Sequence, residues 1–513
     1  MNPELRFNLV NENWIPIVGK GCVSLMDVFS DDSICDIDGT AIEKIALTKL
    51  LIAVAQASVT VKDETDWKEM GASGLAACAR TYLEANRDCF WLYGERPFLQ
   101  MPSIVKLKDE DPKFKTKPVY YYHQPSADPD NDTMLFGSQG KADGTDAERA
   151  VFLVTLMNYA FGGKGVSSKV PLMEGIEKKS AQSAPSLGNI GNIGGFLQVC
   201  LKGSSLQETV WLNFFTEEDK RKLHVKAMDA RPPWEKMPEG ETDDRANEIK
   251  DSLYAWLVAL ARFVYLPEDG GMYYIDGINY PKAQDRGSFG EPFFVASSKK
   301  GAMLVDPAEK PWRNLTAFLR AVYEGDNPEN GYVCQLLSLF LLRAIDTVDA
   351  LSIWAGGLKV SSNSGEQYVK QADDFVDSEF SFESSVLGED FYQVLKETMK
   401  HLDQIAKGLQ VSISQYYIDM KILSEKASYK ERVAKAKEAV RRFWESAEGC
   451  YNKLIEVCMD RDEDELGAFI RIMNSMAKSV YDDICPHDSA RQMYAWIKRA
   501  PKPVGIKKEK ESV

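Results

Sequence analysis

Histidine is scarce in this chain, with four in 513 residues. None of the four (His123, His224, His401 and His487) sits in a catalytic motif. That scarcity argues against a conventional zinc site or a histidine-based acid–base centre. Cys485 and His487 form the one close Cys/His pair, and no two further ligands lie near them. The nine cysteines are odd in number and include no C-x-x-C, which fits reduced thiols better than a disulfide framework. No apolar run reaches the roughly 18–20 residues that a membrane helix needs. The longest, "IALTKLLIAVAQASV" at 45–59, is interrupted by Lys49 and reads as a buried helix. The first ten residues, "MNPELRFNLV", lack the basic-then-apolar pattern of a signal peptide, so a cytoplasmic location without membrane association is expected. There is no G-x-S-x-G. The glycine-rich stretches "NYAFGGKGVSSK" (158–169) and "SLGNIGNIGGF" (186–196) match neither a P-loop nor a dinucleotide fingerprint. No cofactor and no metal are therefore expected.

The composition that remains is that of a globular protein, with 44% hydrophobic and 27% charged residues. The formal net charge of −15 opposes broad, nonspecific phosphate binding, but its distribution is uneven. Residues 1–388 carry 40 basic and 56 acidic side chains, whereas residues 389–500 carry 18 and 19. The acidity thus lies in the first part, and a small DNA site remains compatible with it if partner subunits supply most of the positive charge.

The hydrophobic pattern predicts an α+β protein with a large mixed α/β domain over residues 1–380. A four-helix bundle follows over 381–500, then a disordered basic tail over 501–513. In the first part, β-rich runs such as "FFVASSKKGAMLV" (293–305) alternate with helical segments, among them 41–56 and 332–348. Two polar stretches, 125–148 and 235–248, read as long loops. Beyond residue 389 the apolar positions recur at helical spacing: Phe391, Leu395, Leu402 and Leu409; then Val433 through Cys458; then Leu466 through Val480. A last helix follows Asp488 or Ser489 as its N-cap. The acidic pairs Asp373–Asp374 and Asp482–Asp483 read as solvated surface. The glycines after residue 160 could either end a helix, with Gly162 as cap, or let the backbone approach a ligand.

Several short motifs, in order along almost the whole chain, resemble one family. They are "FNLVNENWIPIV" (7–18), "VSLMDVF" (23–29), "FWLYGERPFLQMP" (90–102), the run from Asn131 to Gly165, "PPWE" (232–235), "GMYYIDGINYP" (271–281), "IWAGGLKVSSNSGEQ" (353–367) and "AVRRFWESAEGCYNKLIE" (439–456). Together they are similar to the CasA family, the large subunit of the type I-E Cascade CRISPR surveillance complex.

That resemblance implies a DNA-binding subunit without catalytic residues. A glycine loop at Gly162, Gly163, Lys164 and Gly165 would meet the minor groove of the protospacer-adjacent motif (PAM), where a bare backbone can enter and the readout is degenerate. A lysine finger would fall on Lys282, with Asn279 the other candidate. A strand-separating wedge would fall on Lys359, Val360, Ser361, Ser362 and Asn363. A loop with Asn131, Thr133, Met134, Leu135 and Phe136 would lie by the guide RNA's 5′ end and the PAM. There Phe136 would act as a packing anchor or stack on a base. The implied partners are guide RNA (crRNA), double-stranded target DNA, the backbone, small and 5′-handle-binding subunits of Cascade, and the CRISPR helicase-nuclease. Lys164 departs from an all-glycine loop, and the Ser361–Ser362 pair stands where relatives can carry larger amides. Two other readings stand beside this one: a structural large subunit of a related CRISPR complex that reads no PAM, and an uncharacterised hydrolase with an acidic site.

Overall fold

The computed structural model describes residues 5–110, 144–161, 195–240, 242–268, 270–278, 280, 291–299, 301–325, 327, 329, 331–363, 366–369, 373–420 and 425–505. The chain divides into two compact units, Met1–Ser384 and Ser385–Val513. Among the described residues, no helix is long and apolar enough to cross a membrane.

The first unit is built around the helix Ala41–Ser58, which is buried on nearly every side, Lys49 included. A helix so apolar all round belongs inside a core. Thr40 opens it, its N–H donating to the Glu43 carboxylate at 2.8 Å. Against it pack the helices Asp146–Tyr159 and Glu64–Ala85. The latter kinks at Gly71, whose positive φ of 62° a side chain would strain. Trp67 from that helix stacks on Trp211 at 4.1 Å between ring centroids. Each indole N–H of the pair donates to the other residue's carbonyl, at 2.9 and 3.1 Å. Both large rings are thereby buried without an orphaned donor.

One antiparallel sheet has the strand order Phe375–Glu383, Ala350–Leu358, Gln198–Lys202. Its first two strands form a ribbon of nine residue pairs, from Ala350↔Glu383 to Leu358↔Phe375. The "GG" of "IWAGGLKV" has a steric cause here. A Cβ on Gly356 would lie 2.8 Å from the Cβ of Asp377, and one on Gly357 would lie 2.7 Å from Val305 Cγ2 and 2.9 Å from the Phe196 carbonyl. The expected β-rich run at 293–305 supplies the strands Val295–Ser297 and Gly301–Ala302. The expected loop at 235–248 is in part helical, because Asp243 caps a helix Asp244–Lys250 through the Ala246 N–H at 2.6 Å.

The second unit is helical throughout its regular structure. Its longest helix, Glu389–Met420, packs against the other helices of the unit. The run expected as one helix over 433–458 is two, Glu425–Glu448 and Tyr451–Asp460, because the chain leaves helical geometry at Gly449 and Cys450. Glu463–Ile484 and Ala490–Arg499 complete the unit, the last capped by Ser489 with Gln492 in a capping box. Pro501 to Gly505 lie among the described residues. The backbone N–H and carbonyl of Val504 both bond the Asn474 side chain, each at 2.9 Å. The rest of the expected tail, 506–513, lies outside the described residues.

Candidate nucleic-acid interface

Most of the residues singled out from the sequence lie outside the described residues: Gly162 to Gly165, Lys282, Asn279, and Asn131 with Thr133 to Phe136. The structure does describe where the segments carrying the glycines and the lysine begin and end. Those points come together.

The helix Asp146–Tyr159 leads toward the glycines. It stops before them, at Ala160, whose backbone is extended (φ −63°, ψ 141°). Gly162 is therefore not its cap. Tertiary bonds take over from the helical ladder instead. Ala261 N–H donates to the Met157 carbonyl at 2.9 Å, Asn158 Nδ2 to Leu257 at 3.1 Å, and Arg262 Nη2 to Phe161 at 2.8 Å. Arg262 is buried and also pairs with Asp276 at 2.6 Å.

The same short stretch, residues 259–262, holds the chain that leads to Lys282. Ile278 N–H donates to the Leu260 carbonyl at 3.1 Å, and the Tyr280 hydroxyl to Ala259 at 2.7 Å. Gly277 fits because it has no side chain: a Cβ there would lie 2.0 Å from the Leu260 carbonyl oxygen. The strands Arg262–Tyr265 and Tyr273–Asp276 pair antiparallel beside these contacts, with Arg262 opposite Asp276. The far ends of both segments also meet, since Val199 N–H donates to the Phe293 carbonyl at 2.6 Å and Gln198 bridges Phe294.

The third candidate segment begins where the long ribbon ends. Ser361–Asn363 pairs antiparallel with Glu366–Tyr368, leaving two residues between the strands. Lys359 N–H donates to the Asp374 carbonyl at 3.1 Å, and its ammonium lies 3.4 Å from Asp306 Oδ1. Val360 is buried, and the Ser361 hydroxyl donates to Asp373 Oδ2 at 2.7 Å. Asp373 is therefore a buried acceptor and not part of a solvated acidic pair, because it closes the base of this hairpin. Val305, next to Asp306, donates its N–H to Gly195 at 3.0 Å, so the hairpin base adjoins the point where the glycine-bearing segment returns.

Beside Tyr159 and the far ends of the glycine- and lysine-bearing segments lies Lys49, 1% exposed. Its ammonium pairs with Glu291, 5% exposed, and lies 3.4 Å from Gln198 Oε1. It also faces the rings of Phe293 at 4.7 Å and Tyr159 at 5.3 Å. Burial lowers the Lys49 pKa and the Glu291 charge opposes that shift, while burial pushes the Tyr159 phenol well above its ordinary value. The Tyr159 hydroxyl has no hydrogen-bond partner among the described residues. Reading the sequence missed Glu291 and Arg262 altogether. For Lys49 the signal was present, as a lysine inside a fifteen-residue apolar run, but it served only to argue against a membrane span.

The remaining chemical candidates dissolve into packing. His487 stacks on Trp496 at 4.9 Å. Asp482 accepts from Trp496 Nε1 at 2.8 Å and pairs with Lys478, so it is engaged and not merely solvated. Among the described residues, no three His, Cys, Asp or Glu side chains gather as a metal site.

Comparison with known proteins now bears on this arrangement. The model of the family described as CRISPR-associated protein Cse1 matches residues 8–482. The chain belongs to the Cse1 family, the CasA large subunit of type I-E Cascade. Solved structures of the family share its fold. CasA of Thermus thermophilus is 18% identical, with a TM-score of 0.68 over 96% of this chain and 97% of that one. Cse1 of Thermobifida fusca is 17% identical, with a TM-score of 0.68 over 96% of each chain. A chain of a CRISPR RNA-guided surveillance complex is 15% identical, with a TM-score of 0.69 over 96% of this chain and 98% of that one. Sequence comparison with curated proteins finds no match.

Several Cse1-like motifs prove to be core. Phe90, Phe98 and Trp234 of "FWLYGERPFLQMP" and "PPWE" cluster with centroids 5.3–6.0 Å apart. Gln100, 2% exposed, donates to the Leu92 carbonyl at 2.7 Å and accepts from Leu266 N–H at 2.8 Å. Gln100 thus satisfies two buried backbone groups that would otherwise be costly to leave unpaired.

Proposed function

We propose that this Cse1-family chain reads the PAM in double-stranded DNA and starts strand separation beside it, so that a guide RNA can pair with the target. One observation supports the reading most: the segments bearing Gly162–Gly165 and Lys282, and the hairpin bearing Ser361–Asn363, depart from a single neighbourhood of interlocked backbone bonds. Elements that must meet one groove within about an ångström need roots that do not drift relative to one another. Bare glycine backbone suits a narrow groove, Lys282 adds a phosphate- or base-directed cation, and the hairpin supplies the wedge. Lys359 stiffens the hairpin base through Asp306.

The proposed division of labour places sequence reading in the guide RNA and motif reading in this chain. Opening needs no nucleotide hydrolysis, because the heteroduplex formed is about as stable as the duplex lost. The partners are those of a Cascade large subunit: guide RNA, duplex target and the backbone, small and 5′-handle-binding subunits, with location in the cytoplasm. One of the fold relatives is a chain of a CRISPR RNA-guided surveillance complex, which supports assembly with RNA. The loop with Asn131 and Thr133 to Phe136 is assigned to the guide's 5′ end, and the helical unit to recruitment of the helicase-nuclease after opening. The chain acts by binding and not by catalysis.

The two steps separate experimentally. Gly162→Asp puts a carboxylate where a backbone should enter the groove, and Lys282→Ala removes the cation, so both weaken initial duplex binding by guide-loaded complex. Replacing Ser361, Ser362 and Asn363 together with glycine leaves initial binding intact. It slows opening, read from a fluorescent base analogue placed next to the motif. Equal binding and opening for all variants and the unaltered chain would exclude this mechanism.

A further inference from the structure

A buried ion pair is an uncertain source of stability, because removing two charges from water offsets most of their attraction, and apolar replacements of similar volume are often as stable. In some proteins such a pair instead fixes a register. Lys49 and Glu291 are such a pair, and their surroundings say what they fix. Glu291 is the first described residue after the segment 281–290, which carries Lys282. Tyr159 lies three residues before Gly162, at the end of its helix. Gln198 opens the strand that follows the return of the glycine-bearing segment, and Phe293 bonds that strand at Val199. The Lys49 ammonium touches or faces all four side chains from one position on the central helix.

We propose that Lys49 and Glu291 are positioning residues for DNA reading. Their charge pair locks the root of the glycine-bearing segment to that of the lysine-bearing segment, so that both present to one groove in a set register. The inference rests on the PAM-reading proposal and adds to it a residue pair that touches no DNA. Neutralising the pair loosens the far ends of the two segments, at Gln198 and Glu291, while the bonds at residues 259–262 still hold their near ends. Affinity for a correct motif then falls, while nonspecific affinity, which depends on summed charge at the surface, does not.

The test uses guide-loaded complex assembled with the unaltered chain, with Glu291→Gln, or with the double variant Lys49→Met and Glu291→Met. Glu291→Gln keeps a hydrogen-bonding partner for Lys49, and the double variant replaces the pair with apolar groups of similar length. Duplex binding is titrated at one salt concentration against a matched target beside either the accepted motif or a scrambled one, and thermal unfolding of each free chain is followed in parallel. The expected result is near-unaltered unfolding of the double variant, a lower unfolding temperature for Glu291→Gln, where the buried Lys49 ammonium loses its countercharge, and near-unaltered scrambled-motif binding by both. The ratio between the two affinities falls by roughly tenfold, the scale on which misplaced supporting residues act. An unchanged ratio in either variant that assembles overturns the proposal. So does failure of both variants to enter the complex, which would make the pair an element of folding. If the unaltered complex itself shows no preference, the PAM-reading proposal fails, and this one falls with it for that separate reason.

Discussion

Single glycines and thiols in this chain have roles set by what surrounds them. Gly277 carries an ordinary backbone angle but no room for a methyl group, since a Cβ would meet the Leu260 and Ala261 backbone at 2.0–2.6 Å. Gly277→Ala should therefore destabilise the first unit by at least about 2 kcal/mol, as overpacking against immobile backbone does. Urea denaturation checks this, with Gly19→Ala as a contrast whose added carbon has open space but a strained positive φ of 74°. Cysteine reactivity divides the same way. Burial pushes the thiols of Cys200 and Cys334 up to about 12, whereas Cys22 and Cys35 are exposed. A limiting amount of an alkylating reagent at neutral pH should label Cys22 and Cys35 and spare Cys200 and Cys334, as read by peptide mass mapping. Early labelling of Cys200 would mean that the central sheet opens readily. Ser361→Ala removes one hydrogen bond to Asp373 and should cost about 1 kcal/mol.

Helices and strands show which signals in the sequence carried structural information. Apolar spacing located the helices of the second unit, because each buries one stripe against its neighbours. It did not register the break at Gly449, where Val433 through Cys458 keep an unbroken rhythm across two helices. The sequence narrowed the cap of the last helix to Asp488 or Ser489, a local pattern, and the structure places it at Ser489 with Gln492 completing the capping box. Ser489→Ala should lower the stability of that helix by about 1 kcal/mol in denaturant titration. The ion pairs of Lys49 with Glu291 and Arg262 with Asp276 link residues far apart in sequence or across a strand pair, and no local pattern announces them. Asp419 binds Arg499 with both carboxylate oxygens, at 2.8 and 3.1 Å, and that bond first, then Lys498, holds its carboxyl below the usual range. A lowered folded-state pKa means that the stabilisation is full above the unfolded carboxylate value of about 3.9 and is lost as pH falls through the folded value. The stability difference between the unaltered chain and Arg499→Ala should thus shrink as pH is lowered from 7 toward 3. A difference that stays constant would show that the pair adds nothing.

At the scale of the whole molecule, family and fold were legible in the sequence, whereas most of the residues assigned to the site lie outside the described residues. Motifs such as Phe90, Phe98 and Gln100 are recognisable because they are core, and core chemistry tolerates few alternatives. Gly162–Gly165, Lys282 and Asn131–Phe136 lie outside the described residues. What the structure adds is where the glycine- and lysine-bearing segments are rooted, at residues 259–262, Gly195 and Glu291, and where the Ser361–Asn363 hairpin is, beside Asp306. The central claim is that this chain, within its RNA-guided complex, selects the motif beside the target. The direct measurement is a binding titration at fixed salt with guide-loaded complex assembled with and without this subunit, on duplexes carrying a matched target next to a randomised flanking motif. The account predicts that tight binding and recovery of a preferred motif both require the subunit. Equal binding and no motif preference with the subunit present would contradict it.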